Sequence, residues 1–246
     1  MQIQMGADSL CLPKPVYIMQ TASVVGKLEG EGPLGDCFDM ICTDDRFGAD
    51  SWERAESEMQ KESLTLALGK AGMDGEQLRY LFAGDLLGQT IASSFGLMEF
   101  QRPFFGLYGA CSTVGEALSL AAMSVAAGYA DLVAAVTSSH FGGAERQFRF
   151  PIEYANQRPL CSTWTVTGSG AYILGTVKSG AKITGITTGK IMDLGIRDAQ
   201  NMGAAMAPAA SVLILNHMKD FERSPKDYDA IITGDLGSVG SEILAE

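Results

Sequence analysis

Histidine is nearly absent: His140 and His217 are the two in 246 residues. The five cysteines, Cys11, Cys37, Cys42, Cys111 and Cys161, are odd in number and include no CxxC pair. A zinc cage is therefore not expected, and free thiols in a reducing compartment are the plain reading. Basic residues are scarce as well, 18 Lys and Arg against 29 Asp and Glu, for a net charge of −11. That balance argues against bare nucleic acid as a partner and against direct docking on anionic lipid. No apolar run approaches the ~18 residues that span a bilayer. The first fifteen residues carry Asp8, Pro13 and Pro15 and lack the basic start and apolar run of a signal peptide. The expectation is a soluble protein that reaches any membrane through a partner. With 46% hydrophobic and 19% charged residues, disorder and low complexity are excluded.

What is present is an alternation of short apolar runs and helical stretches. Residues 16–25 are apolar and β-branched and predict a strand, and 26–50, rich in Gly, Pro and Asp, predict a long loop. Asp50 or Ser51 can cap a helix that Gly72 ends, with a solvated acidic face. A strand at 79–85, a helix at 89–97 and a strand at 104–108 follow. The nearly uncharged helix 112–127 is expected to be buried all round. Then come a strand at 131–138, a polar, aromatic loop at 140–164, and strands at 171–177 and 181–188. A helix at 203–219, a strand at 228–233 and a helix from 238 complete the order. Strands separated by helices imply parallel crossovers and an α/β layered fold, with the adjacent late strands as an antiparallel edge. The pattern divides into a first half, 1–180, that reads as complete and a second, 181–246, that reads as incomplete. The run Gly168–Gly170 lacks a phosphate-binding context and reads as tight strand packing.

Cys111, in GLYGACSTVGEA, lies between a strand and a helix. A thiol there feels the helix's positive end and its unpaired N–H groups, which favour thiolate and can hold an oxyanion or a carboxylate. Position alone leaves a buried, inert cysteine equally open. Asp85 ends the 79–85 strand at the carboxyl edge, where ligands gather in α/β sheets, or else closes a turn there. Ser138, Ser139 and His140 occupy the corresponding end of a later strand, and Asp193, in KIMDLG, has a status like that of Asp85 with weaker support.

The run LYGACSTVGEALSLAAMSVAAGYADLVAAVTSSH resembles the nucleophile segment of the thiolase-like superfamily, which includes the ketoacyl synthases. The segments FAGDLLGQ (82–89), SSHFGGAERQFRFPIEYANQRP (138–159) and DYDAIITGDLGSVGSEIL (227–244) are similar to the stage V sporulation protein AD family of spore-forming Firmicutes, of which the chain resembles a C-terminally truncated member. The resemblance implies a thiolase-like layered fold and a non-catalytic role. It implies binding of dipicolinic acid (pyridine-2,6-dicarboxylate) for the developing spore, within an assembly of membrane proteins. It places the chain in the cytoplasm or forespore, peripheral at the spore inner membrane through those partners. It also implies a homodimer through the edge strand near 104–109.

A flat dianion needs apolar walls and donors. The reading assigns this ligand to Cys111, Asp85, Ser138, Ser139, His140, Arg146, Arg149 and Asp193, with no metal of the protein's own and no cofactor. Calcium is admitted as part of a calcium–dipicolinate ligand, with Asp85 as an outer ligand. Arg158 and the aromatic residues Phe141, Phe148, Phe150, Tyr154 and Trp164 are further candidates in the same loop. The alternative is an acyl-thioester condensing enzyme or acyltransferase with Cys111 as nucleophile. Against it, Gly234 and Asp235 stand where ketoacyl synthases primed by acyl-CoA carry a histidine. His217, in NHMKD, is expected to be solvated or placed at a helix terminus.

Overall fold

The computed structural model describes residues 2–148, 161–198 and 200–246. In chain order its elements are β1 (Gln4–Met5), β2 (Ser9–Val25), α1 (Lys27–Gly30), β3 (Met40–Ile41), α2 (Trp52–Ala71), β4 (Tyr80–Asp85) and α3 (Ile91–Leu97). They continue with β5 (Phe104–Gly106), α4 (Thr113–Ala126), β6 (Leu132–Ser139), α5 (Phe141–Phe148), β7 (Gly168–Gly175), β8 (Ala181–Thr187), α6 (Met202–Asp220) and α7 (Gly237–Ala245). The chain forms two compact units, and β2 and β8 each begin in one and end in the other.

The larger unit comprises Lys14–Phe148 and Thr165–Ile183. Its sheet runs β2-β7-β6-β4-β5. The pairs β4–β5 and β4–β6 are parallel, and β6–β7 and β7–β2 are antiparallel. The antiparallel strand expected at an edge therefore lies inside the sheet. It also begins at Gly168, three residues earlier than its apolar run, because Gly168, Ser169 and Gly170 pair on both sides, with Val25, Val24 and Ser23 of β2 and with Ser139, Ser138 and Thr137 of β6. Small residues there let α2 approach, and Ser63 and Ser169 share a buried 2.8 Å hydrogen bond.

Strand alternation assigns the two faces. Leu81, Ala83, Ala134, Val136, Ala171 and Ile173 form one buried cluster with Leu64, Ala67 and Leu68 of α2. The alternate residue Gly84 lies against Thr113 at the start of α4, on the opposite face. α2 ends as its sequence dictates: Ser51 Oγ accepts from Arg54 N–H, and Gly72 closes the helix in the left-handed region at φ 63°. Its acidic face is not simply solvated, however, since Glu56, Gln60 and Ser63 are buried. α4 is buried on one face only, with Val114 and Leu120 exposed. The loop expected over 26–50 contains α1 and β3, and the loop expected from 140 begins with α5. Gly142 there is no helix breaker; it makes room for the Trp52 ring, 2.8 Å from where a Cβ would stand.

In the smaller unit, α6 and α7 cross where Gly203 meets Leu236 and Gly240. The Asp220 carboxylate accepts from the N–H groups of Ala7 and Asp8. His217 stands in the last turn of α6, the terminal placement expected, and is bonded there: Nδ1 meets Thr187 Oγ1 at 2.7 Å and Nε2 meets Tyr228 OH at 2.5 Å. Burial first, then the nearby Arg223, lowers its pKa. The strand expected at 228–233 does not form. A strand exists only as part of a ladder, and among the described residues none pairs with this segment, whose Ile232 is fully in solvent.

Gly84 joins the two faces of the larger unit, because a methyl there would overlap Leu107 O and press on Thr113. Gly84→Ala should lower stability by roughly 2 kcal/mol. Gly69→Ala, at an exposed helical position with nothing nearby, should raise it by about 0.5 kcal/mol. Denaturant midpoints of the two variants check the opposite signs.

Candidate functional site

The three parallel strands β4, β5 and β6 deliver their carboxyl ends to one edge. After β5, Leu107 N–H still donates to Ala83 O at 2.8 Å, and the chain then turns through Ala110–Ser112 into α4. Ala110 sits at φ 48°, a left-handed conformation that strains a residue with a Cβ by roughly 1 kcal/mol. Side chains hold the turn. Thr113 Oγ1 donates to Ala110 O at 2.7 Å and accepts from Gly109 N–H at 3.1 Å, while Ser112 Oγ donates to Gly109 O at 2.7 Å. Cys111 is exposed at the centre of this turn, so the sulfur is accessible rather than packed.

On the other face, a polar cluster is built around Gln60. Its Nε2 lies 3.2 Å from Gly84 O, 2.9 Å from Ser93 Oγ and 2.7 Å from Ser138 Oγ. Ser93 Oγ donates onward to Asp85 Oδ2 at 2.7 Å, joined by Ser93 N–H at 3.0 Å. Ser138 Oγ donates onward to Glu56 Oε1 at 2.7 Å. Two hydrogen-bond chains thus leave one amide and end on two carboxyls, each 1% exposed. Among the described residues, no hydrogen-bond partner stands at Asp85 Oδ1 or Gln60 Oε1. Burial, reinforced by Asp85, pushes the Glu56 pKa up to about 7 despite the Ser138 bond. Burial also raises that of Asp85, against the two bonds from Ser93 and one from Ala92 N–H. A cleft of about 340 Å³ opens here, lined by Glu53, Glu56, Asp85, Leu87, Gln89, Ile91, Ala92 and Gln147.

The structure brings six of the expected site residues to this unit and divides them between roles. Asp85 and Ser138 belong to the Gln60 cluster, and Cys111 stands on the α4 side. Ser139 Oγ donates to Val166 O at 2.5 Å. His140 is buried, with Nε2 2.8 Å from Asp45 O and Nδ1 accepting from Gly142 N–H at 3.0 Å, and burial lowers its pKa. Those bonds fix a neutral ring protonated on Nε2. Arg146 is paired with Glu53. Asp193 belongs to the smaller unit, where Oδ1 accepts from Gly195 N–H at 2.7 Å. Arg149, Arg158, Phe150 and Tyr154 lie outside the described residues. Glu56, Gln60 and Ser93 were not expected from the sequence. The available signal was a polar stripe, Glu56, Gln60 and Ser63, at helical spacing inside an otherwise apolar face. Among the described residues, no group of three or more His, Cys, Asp or Glu is placed to hold a metal ion.

The family model of stage V sporulation protein AD matches residues 6–246. The chain belongs to the stage V sporulation protein AD family. It is 40% identical over 241 residues to stage V sporulation protein AD of Bacillus subtilis, covering 98% of the chain and 71% of that protein. The fold is thiolase-like. It resembles a 3-oxoacyl-(acyl carrier protein) synthase III from Xanthomonas oryzae with a TM-score of 0.65 at 13% identity, over 100% of the chain and 82% of the synthase. An OleA variant from Xanthomonas campestris, bound with cerulenin, gives a TM-score of 0.66 at 12% identity, over 94% of the chain and 78% of that protein. These likenesses establish the fold, and family membership makes this a sporulation protein. Among the described residues no helix is long and apolar enough to cross a membrane.

The raised Glu56 pKa sets a pH dependence. Below about pH 4.5 folded and unfolded chains both hold the proton, and between there and about pH 7 the folded chain alone retains it. Stability should therefore fall as pH rises through that window, by up to about 3 kcal/mol from this group. Glu56→Gln keeps an acceptor for Ser138 and should flatten the slope, as read from denaturation midpoints at several pH values.

Proposed function

We propose that the chain is a non-catalytic binder of dipicolinic acid within the assembly its family serves. The observation that carries this reading is the commitment of both imidazoles. A condensing enzyme needs a base beside its cysteine and donors for a thioester oxygen. The two histidines of this chain each have both ring nitrogens engaged, His140 by Asp45 O and Gly142 N–H, His217 by Thr187 and Tyr228. Asp235, at the expected histidine position, accepts from Gly237 N–H at 2.9 Å and closes a turn.

A dicarboxylate needs donors, and the Gln60 cluster, which ends in two carboxyls, repels it. The α4 side offers donors, with one carboxylate, Glu116, beside Gly109. Cys111 is exposed there on a side-chain-braced turn, and the first-turn N–H groups of α4 point toward its N-terminal end. In this reading calcium arrives, if at all, with the ligand. Attachment to the spore inner membrane runs through partner proteins of the same assembly. A homodimer forms across β5, whose ladder pairs it with β4 and whose residues Phe104 and Phe105 are exposed, with Tyr108 just beyond.

Calorimetry on the chain with dipicolinate, with and without calcium, tests the reading. Saturable heat is expected, with Cys111→Ala weakening binding on the order of tenfold through loss of one contact. Absence of heat at millimolar ligand removes the proposal. One observation favours a second reading, acyl transfer: an accessible thiol on a strained turn before a helix. In that case acyl-CoA thioesters would leave an adduct on Cys111 by intact mass. The binding reading expects an unmodified chain.

A further inference from the structure

We propose that the cleft floored by Glu56 and Asp85 is a second binding site, for a small protonated amine. Three features select that chemistry. First, each carboxyl has one oxygen satisfied by a serine, and among the described residues no hydrogen-bond partner stands at Asp85 Oδ1, although Ala92 N–H faces the same carboxyl, the residue is 1% exposed and it lines the cleft. An unpaired oxygen in so dry a place is costly unless a donor fills it. Second, the rest of the lining matches an alkylammonium. The side-chain carbonyls of Gln89 and Gln147 can accept from the remaining N–H groups, and Leu87, Ile91 and Ala92 form an apolar wall for the carbon chain. Third, the set is wrong for a metal. Glu53, the third carboxylate of the lining, is already paired with Arg146, and among the described residues no metal-binding trio forms.

The site is distinct from the Cys111 turn and does not rest on dipicolinate binding. Its charge balance is local. Glu53 and Glu56 face the cleft from α2 and Asp85 from β4, and Arg146 of α5 neutralises Glu53. Glu145 of α5 is turned to Thr165, and His140 is neutral. An ammonium entering the cleft meets a net negative pair and displaces the proton that Glu56 holds near neutrality, which passes to buffer.

Titration of the chain with ethylammonium chloride, with calcium chloride and tetramethylammonium chloride as separate arms at matched ionic strength, tests the assignment. Saturable binding of ethylammonium is expected, tightening severalfold from about pH 6 to about pH 8 as the competing proton leaves. In buffers of different ionisation enthalpy the heats should differ on the acid side, reporting proton release. Asp85→Asn and Glu56→Gln should each weaken binding on the order of tenfold or more, with circular dichroism unchanged. Dipicolinate binding should survive both substitutions. The assignment is overturned if ethylammonium binds no better than tetramethylammonium, if calcium binds and ethylammonium does not, or if either folded variant binds like the parent chain. Should one variant fail to fold, the other and the proton release decide the matter.

Discussion

The amide of Gln60 is the interaction on which the larger unit depends. Gly84 O can only accept, which turns Nε2 toward it, and the same nitrogen reaches Ser93 and Ser138. One side chain of α2 is thereby bonded to β4, α3 and β6. Each of those partners is fully or partly buried, so loss of the amide would leave acceptors without donors in a dry interior. The arrangement also explains why two carboxyls are tolerated there: each is reached through a serine that passes on a hydrogen bond. Their raised pKa values are the residual penalty of that burial.

Much of the frame was legible because local rules and packing agree. Ser51 and Gly72 mark the ends of α2 by capping chemistry, and the run from Leu132 becomes a buried strand because it is apolar on both faces. The Cys111 turn was legible from a strand, a tight small-residue stretch and a helix in succession, but its exposure was not. The misreadings share a cause, which is that tertiary neighbours redefine a residue. The stretch from 140 reads as loop until Gly142 is seen to make room for Trp52 within a helix. The segment 228–233 has strand composition without, among the described residues, a neighbour to pair with. Glu56 reads as a solvated helix charge until Ser138, remote in sequence, is seen to hold it.

Likeness to the condensing enzymes is a likeness of fold alone. The sheet order, the turn after β5 and the helix behind it give a thiolase-like frame. Within that frame His140 is a bracket between Asp45 and Gly142, and its ring packs 5.3 Å from Trp52, which in turn lies under Arg46. An imidazole with both nitrogens bound to main chain cannot cycle a proton without breaking its own support. Burial lowers its pKa and adds to the preference for the neutral ring. Cys111 is exposed, and His140 is held by main chain on both ring nitrogens.

The two proposed sites, of opposite preference, lie on the two faces of one strand end. Gly84 touches Thr113 of the cysteine turn on one side, and the next residue, Asp85, belongs to the acidic cleft on the other. Alternation along a strand separates a donor-rich surface from an acceptor-rich one across a single peptide unit. A dianion is repelled by the acidic face, whereas on the α4 side the single first-turn carboxylate, Glu116, stands beside the helix N–H groups. Because Gly84 O is also the acceptor for Gln60, a shift of the cysteine turn that moved Gly84 would be felt at both buried carboxyls. The strand end is therefore the shortest physical route by which occupancy on one face could alter affinity on the other.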